Sequence, residues 1–268
     1  MRQGTTTGQA TSLYAHGLRL APSSEPQPER VAGATLTIIA PSRNEEESAT
    51  LLAEAVRRAL DSTAYELLFV DDSDDATPQV LQQLAEREDL HVRFLHRARG
   101  PERWGGLSGA VVDGLKLATG AYACIIDADL QHPPEKIPEL LRAAQEHDAD
   151  VVMACRYIPG GSSEGLDGPL RTLFSLGCKW LAKILFPRRL RGVHDPLSGF
   201  LLIKRSITRD VSLQPIGFKI SLELLIRCPR QRFVEVPYRF RRRARGTSKA
   251  DFRVGTLYLQ HLGRLRFF

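Results

Sequence analysis

The sequence predicts an α/β fold in which helices cover a mostly parallel β-sheet, as in Rossmann-like nucleotide-binding domains. Short apolar runs typical of buried strands alternate with segments whose apolar residues recur at helical spacing. Acidic residues follow two of these runs directly, at the strand ends where parallel sheets bind ligands. A chain of 268 residues with 43% hydrophobic residues can bury the core of one large domain or of two small ones.

The first half of the chain alternates regularly between predicted strands and helices. Pro41 is expected to end the first strand, and Pro78 to start the second helix. Successive strand-helix units of this kind favour parallel pairing. The predicted strands are residues 34–40, 65–70, 91–95 and 121–126, and the predicted helices are residues 48–60, the segment from Pro78 and residues 110–118.

The second half is less regular. Strands are predicted at residues 149–154, 201–203 and 234–240, and helices at residues 169–186, around Glu223 and at the C-terminal end. The helix at residues 169–186 carries a polar and basic stripe among apolar residues, which suits either a membrane interface or a surface helix packed on the core. The pattern alone leaves both open.

The two ends of the chain differ from the middle in composition. Residues 1–33 are rich in small polar residues and proline, which predicts a disordered tail before a domain at residues 34–249. Residues 250–268 are predicted as an amphipathic helix close to a membrane. No apolar run has the length of a membrane span, and no signal peptide is evident. The cysteines lack zinc-site spacing and are expected to be core or free thiols: Cys124, Cys155, Cys178 and Cys228.

The most informative stretch is Asp-Ala-Asp-Leu-Gln-His-Pro-Pro-Glu at residues 127–135, directly after an apolar run. In an extended segment Asp127, Asp129 and Gln131 would share one face and converge. Three hard oxygen donors suit Mg²⁺ or Mn²⁺ with positions left open for substrate phosphates. The alternative is a polar loop in which Asp127 caps the following helix.

This string resembles the metal motif of family-two glycosyltransferases, above all those of the dolichol-phosphate mannose synthase type. Further similar segments extend the resemblance over roughly residues 36–249. The resemblance implies a GT-A fold. It also implies that the donor nucleotide is bound by Pro41, Arg43, Asn44, Glu45, Asp71, Asp72, Asp75 and Asp127. Two positions depart from the family pattern: Arg43 replaces a common aromatic residue, and Ala76 replaces the usual glycine.

The resemblance also assigns the acceptor and the catalytic groups. Arg156 would grip the acceptor phosphate with a bidentate fork, together with Arg171 and Ser175, which lie one helical turn apart. Asp195, in Asp-Pro-Leu-Ser-Gly-Phe, is expected near the acceptor or the sugar. The catalytic set implied in this way is Asp129, Asp195, Arg245 and Lys249, the last two closing over the diphosphate.

The implied reaction is inverting transfer of mannose from GDP-mannose to a polyprenyl phosphate. An acceptor that is already an anion needs no strong base, so catalysis reduces to placement and neutralisation of the leaving diphosphate. The combination of Arg156-Tyr157, the segment at residues 195–200 and Gly217-Phe218-Lys219 favours mannose. A carboxylate, in contrast, reads guanine or uracil equally well. A UDP-glucose-dependent polyprenyl-phosphate glucosyltransferase is the nearest alternative.

The net charge of +6 suits several anionic partners. A non-enzymatic anion-binding or nucleic-acid-binding module is a distant alternative, because the basic residues are not interleaved with stacking aromatics. We therefore expect no nucleic acid. The expected partners are the nucleotide sugar, the polyprenyl phosphate and a membrane surface. The protein would be peripheral on the cytoplasmic face, with a separate or missing membrane domain as a possible partner.

Overall fold

The computed structural model describes residues 34–165, 169–229, 232–242 and 252–267. The predicted disordered tail at residues 1–33 and the predicted Arg245 and Lys249 lie outside the described residues, as does the side chain of Arg171.

A seven-stranded sheet forms the centre of the molecule. Its strands are β1 (Leu36–Ser42), β2 (Tyr65–Asp71), β3 (Val92–His96), β4 (Tyr122–Ile125), β5 (Val151–Cys155), β6 (Leu201–Lys204) and β7 (Phe233–Pro237). They are ordered β3-β2-β1-β4-β6-β5-β7. Every neighbouring pair is parallel except those of β6, which runs antiparallel to β4 and β5. The predicted mostly parallel sheet is confirmed.

Seven helices are described around this sheet: α1 (Ala49–Ala59), α2 (Thr77–Ala85), α3 (Gly106–Leu117), α4 (Ile137–Glu146), α5 (Pro169–Leu185), α6 (Ile220–Arg227) and α7 (Phe252–Arg266). One core cluster holds side chains of α1, α2 and α4, and the other holds those of α3, α5, α6 and α7. Adjacent residues of one strand enter different clusters, as Ile38 and Ile39 of β1 do. The central strands are thus buried on both faces, which explains their continuous apolar sequence.

The first strand lies two residues further along the chain than predicted, because Pro41 does not end it. β1 continues to Ser42 and pairs with β2 along its whole length, with Pro41 opposite Val70. Its pairing with β4 stops at Ile39. A proline beyond that point removes no ladder hydrogen bond on the β4 side, so the strand tolerates it.

Two other boundaries differ from the prediction. Helix α3 begins at Gly106 rather than at residue 110. Gly105, which precedes it, and Gly106 itself both have positive φ angles. Strand β7 ends at Pro237 rather than at residue 240, because its partner β5 ends at Cys155. Such ends depend on neighbours that are remote in sequence, which local patterns do not reveal.

The C-terminal helix is an integral part of the core that it shares with α3, α5 and α6. Tyr258, Leu262 and Leu265 are all buried there, and the hydroxyl of Tyr258 donates to the carbonyl of Cys178 on α5 at 2.7 Å. α7 therefore forms a fixed wall over the carboxyl ends of the strands. Among the described residues, no helix is long and apolar enough to cross a membrane.

Candidate active site

A cleft of about 490 Å³ lies at the carboxyl ends of β1 and β4. Loops that follow β1, β2, β4 and β5 meet there with the first turns of α3 and α6 and with parts of α5 and α7. Most of the residues that the sequence predicted for one site lie in its walls: Pro41, Arg43, Glu45, Asp72, Asp127, Asp129, Gln131, Arg156 and Ser175.

The metal-motif residues line this cleft but do not lie on one extended face. After β4 the chain enters a turn in which Leu130 is left-handed (φ 63°) and the carboxylate of Asp129 accepts the backbone N–H of Gln131 at 3.0 Å. The expected extended geometry is therefore wrong, because the side chain of Asp129 stabilises a turn. The alternative role of Asp127 as a helix cap is also wrong, since neither the short 3₁₀ helix Pro134–Lys136 nor α4 has a side-chain cap.

The donor set around the turn suits a hard divalent ion. Within the described residues no three acidic, histidine or cysteine side chains are grouped as a metal site. Asp127 and Asp129 nevertheless supply two carboxylates beside an open cleft, and Mg²⁺ commonly binds through one or two carboxylates plus phosphate oxygens and water. The residues present fit such an ion.

A buried histidine, His132, contacts the backbone of Asp127. The backbone N–H of Asp127 donates to Nδ1 of His132 at 3.2 Å, and the His132 ring stacks on Phe200 with centroids 5.3 Å apart. Burial lowers the pKa of His132 to about 4, so the ring is neutral and Nδ1 can accept. A Cβ on Gly199 would lie 3.1 Å from His132 and 3.4 Å from the Asp127 carboxylate, so a larger residue there would require the His132 ring to shift by a few tenths of an ångström.

The acidic segment after β2 contributes one carboxylate to the cleft, that of Asp72. Asp71 is fully buried and accepts from the hydroxyl of Ser42 at 2.9 Å. Asp75 accepts both the backbone N–H and the hydroxyl of Thr77, where α2 begins. Asn44 accepts the backbone N–H of Asp74 at 3.0 Å. The structure thus places Asp71, Asp75 and Asn44 in the framework of the loops rather than in the walls of the cleft.

Arg97, which the sequence interpretation missed, holds Asp72 in place. Its Nε and Nη2 atoms donate to the two oxygens of Asp72 at 2.7 and 2.6 Å, and its other donors reach the carbonyls of Trp104 and Gly106 and the carboxylate of Asp113. Arg97 is 2% exposed, so all of its hydrogen bonds are shielded from water. The only sequence signal was the charge of an arginine after an apolar strand, which also fits a solvent-exposed residue.

Arg156 and Asp195 form a buried pair at the other end of the cleft. Nε and Nη2 of Arg156 donate to the two carboxylate oxygens of Asp195 at 2.7 and 2.9 Å. Burial opposes the charge, but these bonds raise the pKa of Arg156 above its ordinary value. The predicted bidentate fork is therefore used by Asp195, because this carboxylate is completely buried and adjacent. Arg156 itself lines the cleft and Asp195 does not.

Lys219 is a second cation in the cleft that the sequence interpretation did not assign to the site. It lies just before α6, and its Nζ donates to the carbonyl of Leu197 at 3.1 Å. Burial lowers the pKa of Lys219 to about 8, with the charge of Arg156 acting in the same direction and Asp127 against it. The lysine is thus still mostly protonated at neutral pH and loses its proton at a lower pH than an ordinary lysine.

The opening of the cleft is apolar. Phe174 and Cys178 of α5 line it together with Leu257 and Tyr258 of α7, and Ser175 adds a hydroxyl. The whole arrangement combines an apolar mouth with four carboxylates and three cations: Glu45, Asp72, Asp127, Asp129, Arg43, Arg156 and Lys219. Such a site is suited to an anionic ligand that also carries an apolar group.

Comparison with known proteins places this site in a family. The profile of the family described as Glycosyl transferase family 2 matches residues 37–212. The dolichol-phosphate mannosyltransferase of Pyrococcus furiosus is 38% identical over 232 residues, covering 86% of this chain and 63% of that protein. The protein of the same name from Saccharomyces cerevisiae is 38% identical over 215 residues, covering 76% of this chain and 75% of that protein. The chain thus spans less than two thirds of the length of the Pyrococcus relative.

Solved structures share the fold at low sequence identity. Glucosyl-3-phosphoglycerate synthase of Mycobacterium tuberculosis has a TM-score of 0.61 and 20% identity, with 87% of this chain and 80% of that chain covered. Mannosyl-3-phosphoglycerate synthase of Rubrobacter xylanophilus has a TM-score of 0.63 and 18% identity, with 86% and 73% covered. The expected GT-A fold is confirmed. A structure of the Mycobacterium enzyme with Mn²⁺ and UDP has a TM-score of 0.56 at 19% identity, with 87% and 79% covered.

Proposed function

Because this chain belongs to glycosyltransferase family 2, we propose that it transfers mannose from GDP-mannose to a polyprenyl phosphate of the dolichyl type. The observation that carries the proposal is the cleft in which Asp127 and Asp129 lie with Arg156 and Lys219. The names of the similar proteins from Pyrococcus and Saccharomyces support the mannose and the lipid phosphate.

The chemistry follows from the charges of the site. The acceptor phosphate is an anion at neutral pH, so its oxygen attacks the anomeric carbon without a strong base. That bond forms as the bond from the anomeric carbon to the GDP diphosphate breaks, and a single displacement inverts the configuration. Arg156 and Lys219, with Ser175, hold the acceptor phosphate and offset its charge.

A divalent ion would be held by Asp127 and Asp129. The amide nitrogen of Gln131 donates to the carbonyl of Arg241 at 3.1 Å, which leaves the amide oxygen as the third donor in this proposal. When bound, Mg²⁺ or Mn²⁺ would neutralise charge on the leaving diphosphate. Of the predicted donor residues, Pro41, Arg43, Glu45 and Asp72 line the cleft, and in this proposal they bind the base and the ribose.

A membrane surface is the expected source of the acceptor. Large apolar side chains of α5 and α7 remain exposed beside the cleft mouth: Leu173, Phe174, Trp180, Ile184, Leu257 and Leu259. Exposed arginines follow α5 (Arg188, Arg189 and Arg191) and lie in the last turn of α7 (Arg264 and Arg266), which suits anionic lipid. We therefore propose a peripheral protein on the cytoplasmic face of a membrane, with its cleft opening towards the lipid.

The direct test supplies the purified chain with a polyprenyl phosphate, Mg²⁺ or Mn²⁺ and either GDP-mannose or UDP-glucose. Lipid-linked mannose phosphate detected by mass spectrometry, and its loss with chelator, is the expected result. Product from UDP-glucose alone would replace the mannosyl proposal by the glucosyl alternative. No product from either donor, together with no calorimetric binding of GDP or UDP, would contradict the enzymatic reading and favour a simple anion-binding module.

A further inference from the structure

The turn at residues 194–200 links several groups of the cleft. Asp195 holds the guanidinium of Arg156, and the carbonyl of Leu197 accepts from Nζ of Lys219. Gly199 lies against the carboxylate of Asp127. A shift of this turn would therefore move the guanidinium of Arg156 directly, because a bidentate hydrogen bond fixes its position as well as pairing its charge.

Glu235 of β7 anchors the beginning of this turn. Its Oε1 accepts the backbone N–H of His194 at 2.8 Å and that of Asp195 at 3.3 Å. Its Oε2 lies 2.5 Å from Nδ1 of His194. The side chain of Glu235 is 8% exposed, whereas that of His194 is 57% exposed. The carboxylate thus fixes two successive backbone amides from a nearly buried position.

We propose that Glu235 is a positioning residue for the acceptor phosphate: it fixes the backbone of Asp195, and Asp195 in turn fixes the Arg156 guanidinium in the cleft. Glu235 is not part of the cleft walls, so we expect it to act on the ligand through this chain of contacts. The donor side depends on Asp72 and Arg97, which share no hydrogen bond with Glu235. The inference rests on the proposed function, in which Arg156 binds the acceptor.

The consequence is a selective defect. Loss of the carboxylate should weaken acceptor binding and leave nucleotide binding intact. If Glu235 had only a structural role, its loss would instead weaken the binding of both ligands and the stability of the fold, because the cleft is built from one sheet edge. The Gln variant distinguishes geometry from charge, since its amide oxygen can still accept both backbone N–H groups while His194 adopts the tautomer with Nδ1 as acceptor.

The experiment measures calorimetric binding of farnesyl phosphate and of GDP to the full chain and to four variants. Glu235→Ala is expected to raise the Kd for farnesyl phosphate about tenfold, which corresponds to the loss of one hydrogen bond to a charged group. Its Kd for GDP should stay within about twofold of the wild-type value. Glu235→Asp, which keeps the charge but shortens the reach, should show the same selective loss even if the Ala variant does not fold. Glu235→Gln should bind farnesyl phosphate within about threefold of the wild type.

Glu146→Ala, at an exposed position on α4, is the matched control and should change neither Kd. Equal weakening of both ligands, no weakening in Glu235→Asp, or a Gln variant as weak as the Ala variant would overturn the positioning role. Wild-type protein that binds GDP but not farnesyl phosphate would contradict the proposed acceptor, and the inference with it. If the wild type binds both ligands and the Glu235 variants lose affinity for both equally, only the inference about Glu235 would be contradicted.

Discussion

Lys219 shows how burial tunes a single residue of the site. Its ammonium lies in the cleft, satisfied by the carbonyl of Leu197, and next to the charge of Arg156. Burial lowers the pKa of Lys219 from 10.5 to about 8. A bound phosphate would favour the charged form, so binding and protonation of Lys219 are linked.

We predict that the affinity for farnesyl phosphate, measured without metal, changes little between about pH 7 and pH 8 and falls as the pH rises further. In the free protein Lys219 loses its proton above about pH 8. The phosphate already carries both of its charges at that pH, because its second pKa is about 6. The affinity should therefore decrease by up to about tenfold per pH unit. Lys219→Arg keeps its charge and should remove this dependence. An unchanged pH profile in the Arg variant would show that Lys219 is not the group responsible.

A substitution at Asp129 would test the role of the acidic side of the cleft. Asp129→Asn keeps an oxygen that can accept the Gln131 N–H but removes the charge that would hold a divalent ion. We predict a fall in kcat of roughly 100-fold with little change in melting temperature. Asp61→Asn, at an exposed position after α1, is the control and should retain full activity. Full activity of Asp129→Asn would exclude a role in metal binding.

Residues in short motifs were predictable, and residues defined by distant partners were not. Asp127, Asp129 and Arg156 line the cleft as expected, because a motif directly after a strand fixes its own location. Arg97 and Lys219 were missed, since their burial depends on loops that fold over them from elsewhere in the chain. The bidentate use of Arg156 by Asp195, 39 positions away, is likewise a property of the folded protein.

The loop between β3 and α3 shows the same limit for a whole element. The helix start at Gly106 was misplaced because two left-handed glycines direct the carbonyls of Trp104 and Gly106 onto Arg97. Buried strands, in contrast, were predicted well, since residues packed on both faces give continuous apolar runs. The sequence periodicity therefore locates elements, while their ends follow from contacts between them.

Gly109 and Gly177 both lie within helices, and replacing each with alanine should change the free energy of unfolding in opposite directions. A Cβ on Gly109 of α3 would lie 1.8 Å from the carbonyl oxygen of Trp104, whereas one on Gly177 of α5 meets nothing within 4 Å. We predict that Gly109→Ala lowers the free energy of unfolding by about 1–3 kcal/mol. Gly177→Ala should raise it by up to about 1 kcal/mol through helix propensity. Urea unfolding of both variants decides this, and two effects of the same sign would contradict the packing described for α3.

At the scale of the whole molecule, the distribution of exposed apolar side chains is uneven. Trp180 and Ile184 of α5 are 58% and 70% exposed, on the side of the sheet that also carries α7. Phe174 and Leu257 continue this surface into the cleft. A soluble acceptor would not require an apolar mouth, so the arrangement favours a substrate that is presented by a lipid surface.

We predict that Trp180→Glu combined with Ile184→Glu weakens binding to vesicles of anionic phospholipid by at least about tenfold, because each large apolar side chain contributes about 1.5–3 kcal/mol when buried. Leu51→Glu, 46% exposed on α1 at the opposite side of the sheet, is the matched control and should bind vesicles normally. GDP binding should be unchanged in all variants, since none of these side chains lines the cleft. Vesicle flotation at low and high salt measures the effect. Equal loss in the α1 and α5 variants would show that lipid binding has no preferred face, and that the cleft is not directed towards the membrane.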